Sequence, residues 1–143
     1  SDMLQLARIA VVSGDRDLSG RLLDGIAGDA RKSMSDDEAI SFASTSAMLG
    51  NDREFVRMRR TILAKAAMSA SLGLDIVNAA LLCQDLELAL TVAKRLMSND
   101  STKKAFRALH DIFIKYGHGA ELKRVQNESA RALIQSRTKN KGA

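Results

Sequence analysis

Residues 71–98 read SLGLDIVNAALLCQDLELALTVAKRLMS, and the fold is decided there. Apolar residues recur at helical spacing on both sides of Gln84–Asp85, which predicts two short helices separated by a break. Ala80, Ala89 and Ala93 stand where the two helices press together. A hairpin this apolar cannot shelter both its sides, so it needs neighbours of its own kind.

The chain on either side supplies them. Leu4, Ala7, Ile9, Ala10 and Val11 predict a helix over 3–13 that stops at Gly14. Asp15 then caps a second helix carrying Leu18, Leu22, Leu23 and Ile26. Arg31–Lys32–Ser33 reads as a connector. Ser35 and Glu38 form a capping box that opens a third helix with Ile40, Phe42, Ala43 and Ala47, closed by Gly50. Asn51–Asp52–Arg53–Glu54 reads as a second box, opening a helix with Phe55, Met58, Ile62 and Leu63. Beyond the central hairpin, Asn99–Asp100–Ser101 reads as a turn and cap. A seventh helix with Phe106, Leu109 and Phe113 ends at Gly117. The eighth starts near residue 119 and carries Leu122, Val125 and Leu133. No segment alternates with period two long enough to form a strand. The expectation is an all-α chain of about eight helices, one domain over 1–136, with a flexible basic tail over 137–143.

Composition agrees with helix and narrows the class. Of the 143 residues 45% are hydrophobic but only 3% aromatic, so the core is built from aliphatic side chains. Proline is absent, which removes the strongest helix breaker. The one cysteine, Cys83, cannot make an intrachain disulfide. No apolar run reaches the roughly 18–20 residues that span a bilayer. Asp2, Arg8 and Asp15 interrupt any signal peptide, and a cytoplasmic location is expected. The net charge of +5 favours solubility and weak attraction to polyanions.

The breaks at Gly14–Asp15, Gly50–Asn51, Gln84–Asp85 and Gly117–His118 are spaced by 36, 34 and 33 residues. With Leu6–Ala7, Gly14–Asp15 and Ser19 in the first unit, and Ala80, Asp85, Leu86 and Ala89 in the third, the chain resembles the tetratricopeptide (TPR) family, whose unit is about 34 residues. Phe55 and Leu122 depart from it, standing where a small residue is expected, and the closing proline is missing throughout. The resemblance implies an α-solenoid of helical hairpins, whose first helices line a concave, partner-binding face. The positions exposed on that face map to Gln5 and Arg8, Ser41 and Ser44, Asp75 and Asn78, and Asp111 and Lys115. The expected function is therefore a non-enzymatic scaffold or adaptor that binds a peptide or partner protein. Leu4, Ile40 and Leu74 replace polar groups of the family's carboxylate clamp, so no grip on a peptide terminus is expected.

Motifs for chemistry are weaker. Asp15–Arg16–Asp17–Leu18–Ser19–Gly20 imitates the start of a calcium loop, but Ile26 stands where a bidentate carboxylate is required. His110, His118 and Cys83 lack zinc spacing. No nucleophile elbow or phosphate loop is present. No metal, cofactor or enzyme activity is expected. Basic clusters at Arg57, Arg59 and Arg60, at Lys103, Lys104 and Arg107, and at Lys123, Arg124, Arg131, Arg137, Lys139 and Lys141 leave nucleic-acid (RNA) binding as the alternative. A lone Tyr116 offers no platform for stacking bases. Self-association into a dimer through apolar terminal hairpins is a third reading.

Overall fold

The computed structural model describes residues 2–98 and 103–141, and among them only helices occur. They are α1 (Asp2–Val12), α2 (Arg16–Asp24), α3 (Gly28–Lys32), α4 (Asp36–Met48), α5 (Arg53–Arg57), α6 (Arg59–Ala64), α7 (Ala70–Leu82), α8 (Leu86–Ser98), α9 (Lys103–Lys115) and α10 (Gly119–Lys141). Ten helices thus replace the expected eight. The supposed connector at 31–33 is the end of the one-turn α3. The supposed fourth helix is interrupted at Met58, which closes α5 and opens α6. The turn expected at Asn99–Ser101 lies outside the described residues. The tail expected to fray from residue 137 continues α10 as helix to Lys141, with no Gly or Pro to stop it earlier.

The four breaks share one backbone design. Gly14, Gly50, Gln84 and Gly117 all have positive φ, and Gln84 is the only non-glycine among the described residues to do so. At each turn the next amide donates to a carbonyl five residues back: Asp15 to Ala10, Asn51 to Ser46, Asp85 to Ala80 and His118 to Phe113, at 2.8–2.9 Å. This is the 6→1 bond of a Schellman turn, which satisfies carbonyls that the ending helix leaves open. The following helix is capped by Asp15 on the Leu18 amide and by Asp85 on the Leu88 amide, both at 3.1 Å. Ser35 and Glu38 form the reciprocal box at the start of α4. Asp52 makes no side-chain cap, so the second expected box is absent.

Packing follows chain order. α1 lies against α2 and α4, α4 against α7, and α7 against α8 and α9, while α10 packs on α8 and α9. Ala80, Ala89 and Ala93 are wholly buried where α7 meets α8. Gly73 allows the same approach, since a Cβ there would meet Leu96 Cδ2 at 2.5 Å. The main core runs from Ile40 to Leu122 and includes Phe55, Ile62, Ile76, Val92 and Phe113. Phe55 and Leu122, the two departures from the repeat pattern, are fully inside it. Leu4, Ala7, Leu23 and Ile26 form a separate, smaller cluster under α1 and α2, with Leu22, Met34, Phe42 and Leu49 at its edge. Polar pins join the helices. Ser19 Oγ donates to the Ala7 carbonyl at 2.8 Å, and the Arg95 guanidinium donates to the carbonyls of Ile62, Leu63 and Lys65, closing the end of α6.

Candidate functional site

The residues predicted for partner binding divide into three groups. The first comes together. The N-terminal halves of α1, α4 and α7 enclose a cleft of about 310 Å³ lined by Gln5 and Arg8, by Asp37, Glu38 and Ser41, and by Ser69, Ser71 and Asp75, with Leu4 and Leu72 at its base. The capping residues before α4 and α7 turn both helices so that their first turns open onto this space. Gln5 and Ser71 are exposed, whereas Ser41 is mostly covered.

Arg8 and Asp75 form an ion pair across this cleft, between residues 67 apart in sequence. Asp75 is only 5% exposed. Burial pushes its carboxyl above the usual carboxylate range, and the hydrogen bond and charge of Arg8 oppose that shift. The pair fastens the first hairpin to the third and sets the polarity of the cleft wall. Lys65 and Asp37 make a second ion pair at its edge.

The second group is occupied inside the protein. Ser44 is wholly buried, and its Oγ has no hydrogen-bond partner. A partner cannot touch it while α4 stays packed. Asn78, half-buried one turn beyond Asp75, accepts from the Tyr116 hydroxyl at 2.7 Å and donates to Met48 Sδ at 3.1 Å. It therefore knits α4, α7 and α9 together. Burial pushes the Tyr116 hydroxyl up, with a smaller contribution from Cys83. The third group, Asp111 and Lys115 on α9, is exposed and does not line the cleft. Lys115 Nζ sits over the Tyr116 ring, 5.4 Å from its centre.

Asp37, Glu38, Ser69 and Ser71 were not singled out from sequence as site residues. The signal was present, since the Ser35–Glu38 box marks the start of α4, but a capping role accounts for it without a cleft. Of the basic clusters, Arg59 is held by Asp85 at 2.8 Å and by Glu87 at 3.6 Å, and Arg57 by Glu54 at 3.4 Å. The Arg59 hydrogen bond keeps the Asp85 carboxyl below its ordinary range, against burial. Lys104, Arg107, Lys123, Arg124, Arg131 and Arg137 are exposed, while the side chains of Lys103, Lys139 and Lys141 lie outside the described residues. Asp15 is spent as a helix cap and Arg16 already begins α2, so the calcium-like motif is helix rather than loop. His118 Nδ1 lies 3.4 Å from Glu121 at the start of α10. Cys83 ends α7 half-buried, its thiol pushed up by burial and then by Asp52. Among the described residues no group of His, Cys, Asp and Glu is arranged to hold a metal ion. No described helix is long and apolar enough to cross a membrane.

No protein-family model matches the chain, and no curated protein or solved structure is significantly similar to it.

Proposed function

We propose that this protein is a TPR-like helical-repeat domain that acts by holding a peptide or a partner protein, without enzymatic chemistry of its own. The carrying observation is the cleft, to which three successive first helices each contribute polar side chains. Its charged groups are matched within the wall: Asp75 is paired with Arg8, Asp37 with Lys65 at the edge, and Glu38 is bonded to Ser35. A wall of matched charges and hydroxyls suits an extended segment offering amide donors and acceptors. The hydroxyls of Ser41 and Ser71 can accept or donate as the segment requires, and Ser69, whose oxygen caps the Leu72 amide, can donate. The Arg8–Asp75 pair holds the wall in place beforehand, so little ordering accompanies binding.

The test uses the exposed rim, which can be changed without disturbing the core. A peptide array rich in Asn and Gln selects ligands, and the binding site is mapped by amide chemical shifts. Shifts at Gln5, Ser41 and Ser71, together with loss of binding in Gln5→Arg and Ser71→Arg, support the reading. Binding that leaves these amides unmoved, or survives both substitutions, removes it.

Nucleic-acid binding is the second reading, favoured by the exposed cations of α10. It predicts affinity for generic RNA that falls steeply with added salt, from counterion release.

A further inference from the structure

The two ends of the helix row carry exposed apolar residues, and the segments that bear them differ in the sign of their net charge. At one end α1 turns Leu4, Ala7 and Ala10 into the protein, and Leu6 and Ile9 on its other side are each more than half exposed. Asp2, four residues before Leu6, shares that face. Residues 2–30 hold five aspartates and three arginines, with no lysine or glutamate.

At the other end α10 is 23 residues long against 13 for α9. The difference carries α10 roughly 15 Å past the helix it packs on. Leu133 follows the buried Leu122 by three helical turns, so it prolongs the face that is covered at the start of the helix. Leu133 and Ile134 are each more than half exposed, with Arg137 one turn further along. Residues 119–141 hold six basic and two acidic residues. Pairing two α10 overhangs would set cation against cation, and pairing two α1 faces would set aspartate against aspartate.

We propose that the α1 face of one copy docks on the α10 overhang of a second copy, head to tail. Apolar contact comes from Leu6 and Ile9 against Leu133 and Ile134, and the charges fix the direction. Each assembly so formed keeps one free head and one free tail, so the association is heterologous and extends beyond a dimer. It goes beyond the cleft reading and is independent of it, because Gln5 and Arg8 line the cleft while Leu6 and Ile9 do not.

The experiment is sedimentation velocity on the full chain over a wide concentration range, at low and high salt. The expected result is a mass that climbs past the dimer with concentration and falls back with salt. A head-blocked variant, Leu6→Glu with Ile9→Glu, and a tail-blocked variant, Leu133→Glu with Ile134→Glu, should each stay monomeric. Circular dichroism equal to that of the parent shows that both are folded. Mixed together, they should form a 1:1 dimer and nothing larger, because one intact head meets one intact tail. A parent that is monomeric throughout overturns the proposal, as does a mixture that fails to pair. Dimers of the tail-blocked variant alone would mean that heads pair with heads, which also overturns it. So would generic RNA binding to α10 by a parent that never self-associates.

Discussion

The α7–α8 and α1–α2 hairpins share one plan and differ in their surroundings. Both turn through a positive-φ residue, donate the same 6→1 bond and cap the second helix with an aspartate. Yet α7 buries eight of its thirteen residues and α1 only three of eleven. The central hairpin is covered by α4 and α6 on one side and by α9 and α10 on the other, whereas α1 and α2 pack chiefly on α4, with the Arg8–Asp75 pair as a tie to α7. A hairpin's own sequence sets its turn, and its place in the row sets how firmly it is held. The small cluster under α1 and α2 is separate from the main core, so the end hairpin is the part expected to open first.

The largest test of this contrast is truncation within each core. Ile76→Ala should cost about 4 kcal/mol and lower hydrogen-exchange protection everywhere, because its contacts belong to the shared core. Leu4→Ala should cost about 3 kcal/mol, felt mainly as lost protection in α1 and α2. Equal loss across the chain in Leu4→Ala would show that the two cores unfold as one. Next in size is Arg8→Ala, which leaves Asp75 buried and unpaired, at a cost of about 3 kcal/mol at neutral pH. Without Arg8 the carboxyl rises further above its unfolded value. Its favourable contribution is then full below the unfolded carboxylate pKa and lost as pH rises through the folded one. Thermal melts should therefore show the deficit of Arg8→Ala shrinking as pH falls through the carboxylate range.

The turns separate backbone strain from packing. No atom stands within 4 Å of a Cβ built at Gly50, so Gly50→Ala tests the positive φ alone. Urea midpoints should show a loss of about 1–2 kcal/mol for it, and a gain of about 1 kcal/mol for Gln84→Gly. The smallest effect has the opposite sign to most core changes. Ser44→Ala removes a buried hydroxyl that has no partner, and should stabilise by about 1 kcal/mol or be neutral in calorimetry. Clear destabilisation would mean that Ser44 makes an internal hydrogen bond after all.

Local signals in the sequence were enough for the all-helical class and for the four turns. A Schellman turn needs a positive φ, glycine supplies it three times, and Asp85 marks the fourth by its capping role. The break at Met58 was not legible, since Arg57–Met58–Arg59–Arg60 contains only good helix formers. Two contacts from the α7–α8 hairpin set the course of α6 there, with Arg59 held at the turn by Asp85 and Arg95 of α8 fastened to the carbonyls that end α6. The candidate site was half legible. Gln5, Arg8, Ser41 and Asp75 share a cleft because α1 packs on α4 and α4 on α7, an order of packing that the resemblance to helical repeats implies. The repeat pattern maps Ser44 and Asn78 onto the exposed side of their helices, and local pattern carries no information about the neighbouring helix that covers them. An ion pair spanning 67 residues is likewise invisible to any local rule.

Tyr116 is the only tyrosine, the chain has no tryptophan, and its hydroxyl is bonded to Asn78 across the α7–α9 seam. Intrinsic fluorescence of this protein is therefore a built-in reporter of a single joint. Its change on unfolding marks the moment the last hairpin lets go, while far-ultraviolet ellipticity reports all ten helices at once. A gap between the two signals would time the release of one end of the molecule without any label having been added.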